Sequence, residues 1–186
     1  MLVAASQLLL VAHAYGFERP QTGGIQIAKY ADYWEIRLGG SAYDTGPTTP
    51  TDFNGGVVNA EFLAPSPGFF NIIGSPRPYV GTDIAISDDA IHVVYAGLNW
   101  EAHLSERLYV GFSGGGSWNN SPKTTSASGV TKDLGSTVLF HLQASAGYDI
   151  TSTVTIQLFY NHFSNANLIS SNIGLESIGA RLTLRF

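Results

Sequence analysis

The chain has 186 residues, enough for one domain or one small barrel with a leader. Its 9 Lys and Arg stand against 14 Asp and Glu, for a net charge of -5, so nucleic acid is not an expected partner. Cysteine is absent, which excludes a disulfide framework and a thiolate metal site.

The opening residues, MLVAASQLLLVAHAYG, have an apolar centre followed by Ala12-His13-Ala14, a small-x-small cleavage pattern. The basic residues that usually open a leader are missing. A signal peptide over 1–14, with its true start upstream, competes with a buried N-terminal strand, and the lack of alternation favours the leader. Residues 15–32, with Pro20, Gly23 and Gly24, are expected to be irregular, and a β-barrel domain is expected over 33–186.

Strand patterns then recur at near-regular spacing. Tyr33 to Tyr43 places Trp34, Ile36 and Leu38 on one face. After a Pro- and Gly-rich loop, Gly55 to Leu63 sets Val57, Asn59 and Glu61 against Val58, Ala60 and Phe62. The segment APSPGFFNIIGSPRP carries four prolines and reads as a connection. Tyr79 to Ser87 and Ile91 to His103 follow, then Arg107 to Trp118 with Leu108, Val110 and Phe112 aligned. A long polar loop precedes Gly135 to Tyr148, where Val138, Phe140, Leu142 and Ala144 alternate with Leu139, His141 and Gln143.

The last two strands are the clearest. Val154, Ile156, Leu158 and Tyr160 share one face, because a strand sends alternate side chains to opposite sides. Ile178, Ala180, Leu182, Leu184 and Phe186 share another, opposite Arg181 and Arg185. Eight strands result, with short turns at Ser105-Glu106 and 149–152 and longer loops at 44–54, 119–134 and 165–175. The fold expected is all-β: an eight-stranded antiparallel transmembrane β-barrel of the bacterial outer membrane, closed so that no strand edge meets lipid. A soluble barrel of lipocalin type is the alternative, because the faces alone do not separate a polar lumen from a polar exterior. The C-terminal Phe186 strand resembles the recognition signal of outer-membrane proteins. Trp34, Trp100, Trp118, Tyr109, Tyr148 and Tyr160, near strand ends, suit interfacial girdles.

One departure from the pattern carries chemistry. His162 and Ser164 continue the apolar stripe of their strand, with Cβ atoms about 7 Å apart by strand geometry. Glu176 extends the apolar stripe of the partner strand near the level of His162. Serine, histidine and a carboxylate on adjacent strands are what an esterase needs: nucleophile, general base and orienting group. Asn172 is the best-placed side chain to meet an oxyanion, and Asn165 is placed to brace the loop through its amide. Taken singly, these residues also have ordinary readings as turn serines and interfacial histidines. A structural or adhesion barrel, with function in its loops, stays open on this pattern.

The segment HFSNANLISSNIGLES resembles the signature of the outer-membrane lipid A 3-O-deacylases, also called the acyloxyacyl hydrolase family. The resemblance implies an eight-stranded barrel with its serine-hydrolase triad on the lipid-facing wall near the extracellular rim. The family histidine, serine and glutamate match His162, Ser164 and Glu176. Its asparagines match Asn165, just after the serine, and Asn172, associated with the oxyanion. A phenylalanine of the preceding strand matches Phe140, and Phe140 and Tyr160 would hold the acyl chain. The implied substrate is lipid A of lipopolysaccharide, attacked at its 3-O-linked acyl chain among outer-membrane lipids. No cofactor and no metal are implied, and whether the chain forms a homodimer is left open.

Overall fold

The computed structural model describes residues 21–22, 24–49, 53–127 and 129–186. The signal peptide expected over 1–14 lies outside the described residues. Among the described residues twelve strands occur in chain order: β1 (Gln21–Thr22), β2 (Ile25–Ile27), β3 (Glu35–Tyr43), β4 (Gly56–Leu63), β5 (Arg77–Ile86), β6 (Val93–His103), β7 (Leu108–Asn119), β8 (Lys123–Thr125), β9 (Thr131–Asp133), β10 (Val138–Asp149), β11 (Val154–Ser164) and β12 (Leu175–Arg185). A short 3-10 helix, η1 (Gly68–Ile73), lies between β4 and β5.

Eight long antiparallel strands close on themselves. From β3 the order runs through β4, β5, β6, β7, β10, β11 and β12, and β12 pairs back onto β3 with Ala180 opposite Gly40. Closure leaves no open edge for lipid to strand without hydrogen-bond partners. The chain is an eight-stranded transmembrane barrel of the Gram-negative outer membrane. Short turns and the C-terminal strand end lie at one rim, and the longer loops lie at the other, the extracellular rim of such barrels.

Alternation sorts the side chains strongly. Leu158 and Leu182 on the wall are 62 % and 55 % exposed, while Gln157 and Arg181 beside them are inside. A wall of this composition, wrapped around a buried polar interior, is the inverse of a lipocalin, and that reading is excluded. Tyr109 does not belong to the aromatic girdle expected of it. It is buried in the lumen, 5.0 Å from the His103 ring, because it sits between the outward Leu108 and Val110. The girdle is therefore carried by Trp34, Trp118 and Tyr148, all exposed, with Trp100 and Tyr160 half-buried.

The lumen is a packed ionic network, not a pore lined with water-facing groups. Arg37 reaches Glu35 at 2.5 Å, Glu61 at 3.2 Å and Glu101 at 2.6 Å. Arg181 pairs with Glu61 at 2.7 Å, and Arg185 pairs with Glu35 at 2.8 Å and Asp149 at 3.1 Å. Charges taken from water survive only when paired and hydrogen-bonded in this way. Toward the loop rim the filling becomes apolar, with Tyr43, Phe53, Ile91, Leu134, Phe163 and Leu175 packed together.

Two connections contain more structure than their sequences suggest. The region 15–32 includes β1 and β2, and β2 continues the sheet by pairing Gln26 with His103 of β6. The loop after β7 folds into the β8–β9 hairpin, whose register places Thr124 opposite Lys132. Both runs are too short and too polar for an alternation to register.

Candidate active site on the outer wall

The site sits where β11 and β12 reach the loop rim. On β11 the outward positions change from apolar to polar at Tyr160, His162 and Ser164. Antiparallel pairing sets His162 directly opposite Glu176, and directly opposed residues bring their Cβ atoms to about 4.5–5.5 Å. Glu176 Oε1 lies 2.8 Å from His162 Nδ1. A carboxylate only accepts, so Nδ1 carries the proton and Nε2 is left as the basic nitrogen.

Glu176 is fully buried although its strand position faces outward. The loop between β3 and β4 covers it. The backbone N–H groups of Thr48 and Thr49 both donate to Oε2, each at 3.1 Å. The hydroxyls of Thr48 and Tyr160 donate to Oε1. Thr48 Oγ1 also lies 3.3 Å from His162 Nδ1. These donors replace the water that burial removes from the carboxylate. The loop can approach so closely because residue 46 is glycine: a Cβ there would overlap the Glu176 carboxylate.

Ser164 ends β11 on the same outer face, with Phe140 opposite it on β10. The imidazole hydrogen bonds run to Glu176, Thr48 and Tyr160. Among the described residues none runs from the ring to Ser164 Oγ. The carboxylate–imidazole arm is thus assembled, and the serine stands two positions along the strand without that contact. Catalytic hydrogen bonds are often long or unmade until substrate is bound.

Beyond Ser164 the chain turns sharply, with Ala166 and Asn167 at φ 54° and 60°. Left-handed backbone is uncommon for alanine and costs strain that the surroundings must hold. Two asparagines hold it. Asn165 is buried and donates through Nδ2 to the Leu134 carbonyl at 2.9 Å and the Ser171 carbonyl at 2.5 Å. Asn172 accepts from the Asn165 backbone N–H at 2.8 Å and donates to Asn167 Oδ1 at 3.0 Å. One amide hydrogen of Asn172 is therefore engaged within the loop.

Beside the imidazole the wall carries a shallow groove of about 360 Å³, lined by Thr48, Phe112, Leu142, Ala144, Tyr160 and His162. Its surface is almost wholly apolar, the lining expected for an alkyl chain. Phe140 is half-exposed on the same face but does not line this groove. Among the described residues no group of three or more acidic, His or Cys side chains could hold a metal ion.

Sequence reading missed Thr48 and Gly46, which sit in a loop with no periodicity and meet Glu176 only through folding. Tyr160 was readable as a wall residue. Its spacing of two residues from His162 puts it on the same face, and the register of β11 with β12 then brings its hydroxyl to the carboxylate.

A family model described as lipid A 3-O-deacylase (PagL) matches residues 71–185, which include β5 through β12. Several solved structures are similar in fold, three of them as follows. The outer membrane enzyme PagL is 13% identical, with a TM-score of 0.59 over 81% of this chain and 98% of that one. Neisserial surface protein A is 10% identical, with a TM-score of 0.58 over 83% of this chain and 97% of that one. A de novo designed transmembrane β-barrel is 12% identical, with a TM-score of 0.50 over 89% of this chain and 98% of that one. Among curated proteins none matches the chain. At these identities the structural likeness is one of fold, and a fold carries no activity of its own.

Proposed function

The chain belongs to the lipid A 3-O-deacylase (PagL) family, and on that footing we propose that it removes the 3-O-linked acyl chain of lipid A by serine-hydrolase chemistry. The observation that carries the reading is the His162–Glu176 pair at 2.8 Å, on a lipid-facing wall with Ser164 on the same face. Polar groups at the top of an apolar stripe, the buried Glu176 among them, need a reason to be there, and an esterase supplies one.

In the proposed reaction His162 Nε2 takes the proton of Ser164 Oγ as the oxygen attacks the ester carbonyl carbon. Glu176 holds the ring and offsets the imidazolium charge. The second amide hydrogen of Asn172 and a backbone N–H near the serine would meet the oxyanion. Collapse breaks the bond to the glucosamine 3-oxygen, which leaves with the proton from His162. Water, activated by the same imidazole, then hydrolyses the acyl-enzyme and frees the fatty acid. The groove beside Tyr160 and His162 would carry the chain, so the acyl tail never leaves hydrocarbon; Phe140 would extend that contact past Ser164.

The test is mass spectrometry of lipid A from cells expressing the protein beside cells expressing Ser164→Ala, each with a folded outer-membrane barrel. Loss of one 3-linked hydroxyacyl chain with the protein alone is expected. Unchanged lipid A in both would remove the deacylase reading and leave a structural or adhesion barrel.

A further inference from the structure

At the rim opposite the site, the link between β4 and β5 departs from the short turns beside it. Residues 64–76, APSPGFFNIIGSP, contain no charged side chain. Within them η1 presents Phe69, Ile72 and Ile73 outward, 70%, 91% and 47% exposed. A water-facing turn would not be expected to display its largest apolar side chains and no charge.

The helix is also fixed in place. Gly74 closes it in the left-handed conformation at φ 88°, its N–H turned back to the Asn71 and Phe70 carbonyls. The indole of Trp100 donates to the Ile73 carbonyl at 2.9 Å. Trp100 is an outward residue of β6, with its ring 6.3 Å from that of Phe112. The last turn of η1 therefore rests against the outer wall and not across the mouth of the barrel. Nearby, the exposed Trp34 stacks on Phe62 at 5.2 Å. This is the aromatic band of the periplasmic interface, and the apolar face of η1 is continuous with it.

We infer that η1 is an interfacial anchor, seated by Phe69, Ile72 and Ile73 in the headgroup–acyl boundary of the periplasmic leaflet. The occupant of this face is phospholipid. Continuity with the lipid-facing wall through Trp100 argues for it, as does the absence of any charge in the segment that a protein partner could read. An anchor here would resist vertical movement of the barrel and set the height of the opposite rim.

The native chain has no cysteine, so single labels are clean. Ile72→Cys and Glu106→Cys, the latter in the β6–β7 turn at the same rim, are each labelled with an environment-sensitive fluorophore in the full barrel refolded into phosphatidylcholine vesicles. Lipids carrying a nitroxide near the headgroup are expected to quench the label at 72 at least twofold more than the label at 106, with aqueous iodide showing the reverse order. Equal iodide quenching at both positions would overturn the inference. So would protection from iodide at 72 without quenching by the lipid. Should Ile72→Cys fail to give the folded barrel, Phe69→Cys reports the same face under the same criteria.

Discussion

Lys132 Nζ lies 2.5 Å from Asp44 Oδ1, and both side chains are wholly buried. The pair ties the β8–β9 hairpin to the residue that follows β3, four positions before Thr48. Asp44 also accepts the Phe53 N–H at 3.0 Å, which closes the base of the same loop. Removing one member of a buried ion pair is costly, because the other loses a counter-charge that water no longer replaces. Lys132→Met is expected to cost about 3–5 kcal/mol of local stability, to raise hydrogen exchange over 45–49, and to lower deacylation while the barrel stays folded. Adding Asp44→Asn should restore part of both, and a double variant no better than the single would discount the coupling.

Glu176→Gln keeps the shape of the side chain and removes its charge. Orientation of the imidazole and compensation of its positive form are lost together. On the proposed mechanism, and by analogy with Ser-His-acid triads, kcat should fall on the order of 10⁴-fold, with normal heat-modifiable migration of the barrel on gels. A kcat within tenfold of the parent would count against Glu176 as the orienting group.

Thr48 reaches the site from another loop, donating to Glu176 through both its hydroxyl and its backbone N–H. Thr48→Val removes one charge-assisted hydrogen bond, worth about 1.5–3 kcal/mol, so deacylation should slow by roughly ten- to a hundredfold on that figure. Thr48→Ser should recover most of it. Equal rates for the valine and serine variants would show that packing, not the hydroxyl, matters there.

Ala144 lines the groove beside His162. Ala144→Trp would fill that groove while leaving His162, Glu176 and Thr48 themselves unchanged. Activity on lipid A should drop steeply, while hydrolysis of a short-chain aryl ester should stay near the parental rate. Parallel loss on both substrates would relocate the acyl chain or reveal a disturbed site.

Arg37 faces Glu35, Glu61 and Glu101 inside the barrel, with no exposure of its own side chain. Arg37→Met should cost about 3–5 kcal/mol, read as a lower urea midpoint for unfolding in detergent micelles. An unchanged midpoint would mean that the remaining arginines absorb the three carboxylates.

Local chemistry in the sequence is enough to specify a barrel wall. A strand's period of two dictates that Leu158, Tyr160, His162 and Ser164 share one side, whatever the strand pairs with. Even Tyr109 obeys that rule; placing it in the girdle ignored its parity between Leu108 and Val110. Alternation does not specify which side meets lipid, and closure of the sheet decided that by enclosing Arg37, Arg181 and Arg185 with their carboxylates. Nor can a period reach across loops. Thr48 lies 128 positions from Glu176 in a segment without alternation, and Gly46 reads as an ordinary turn residue. Their contact with the carboxylate exists only because β12 pairs with β3 to close the barrel, bringing the first loop over the last strand.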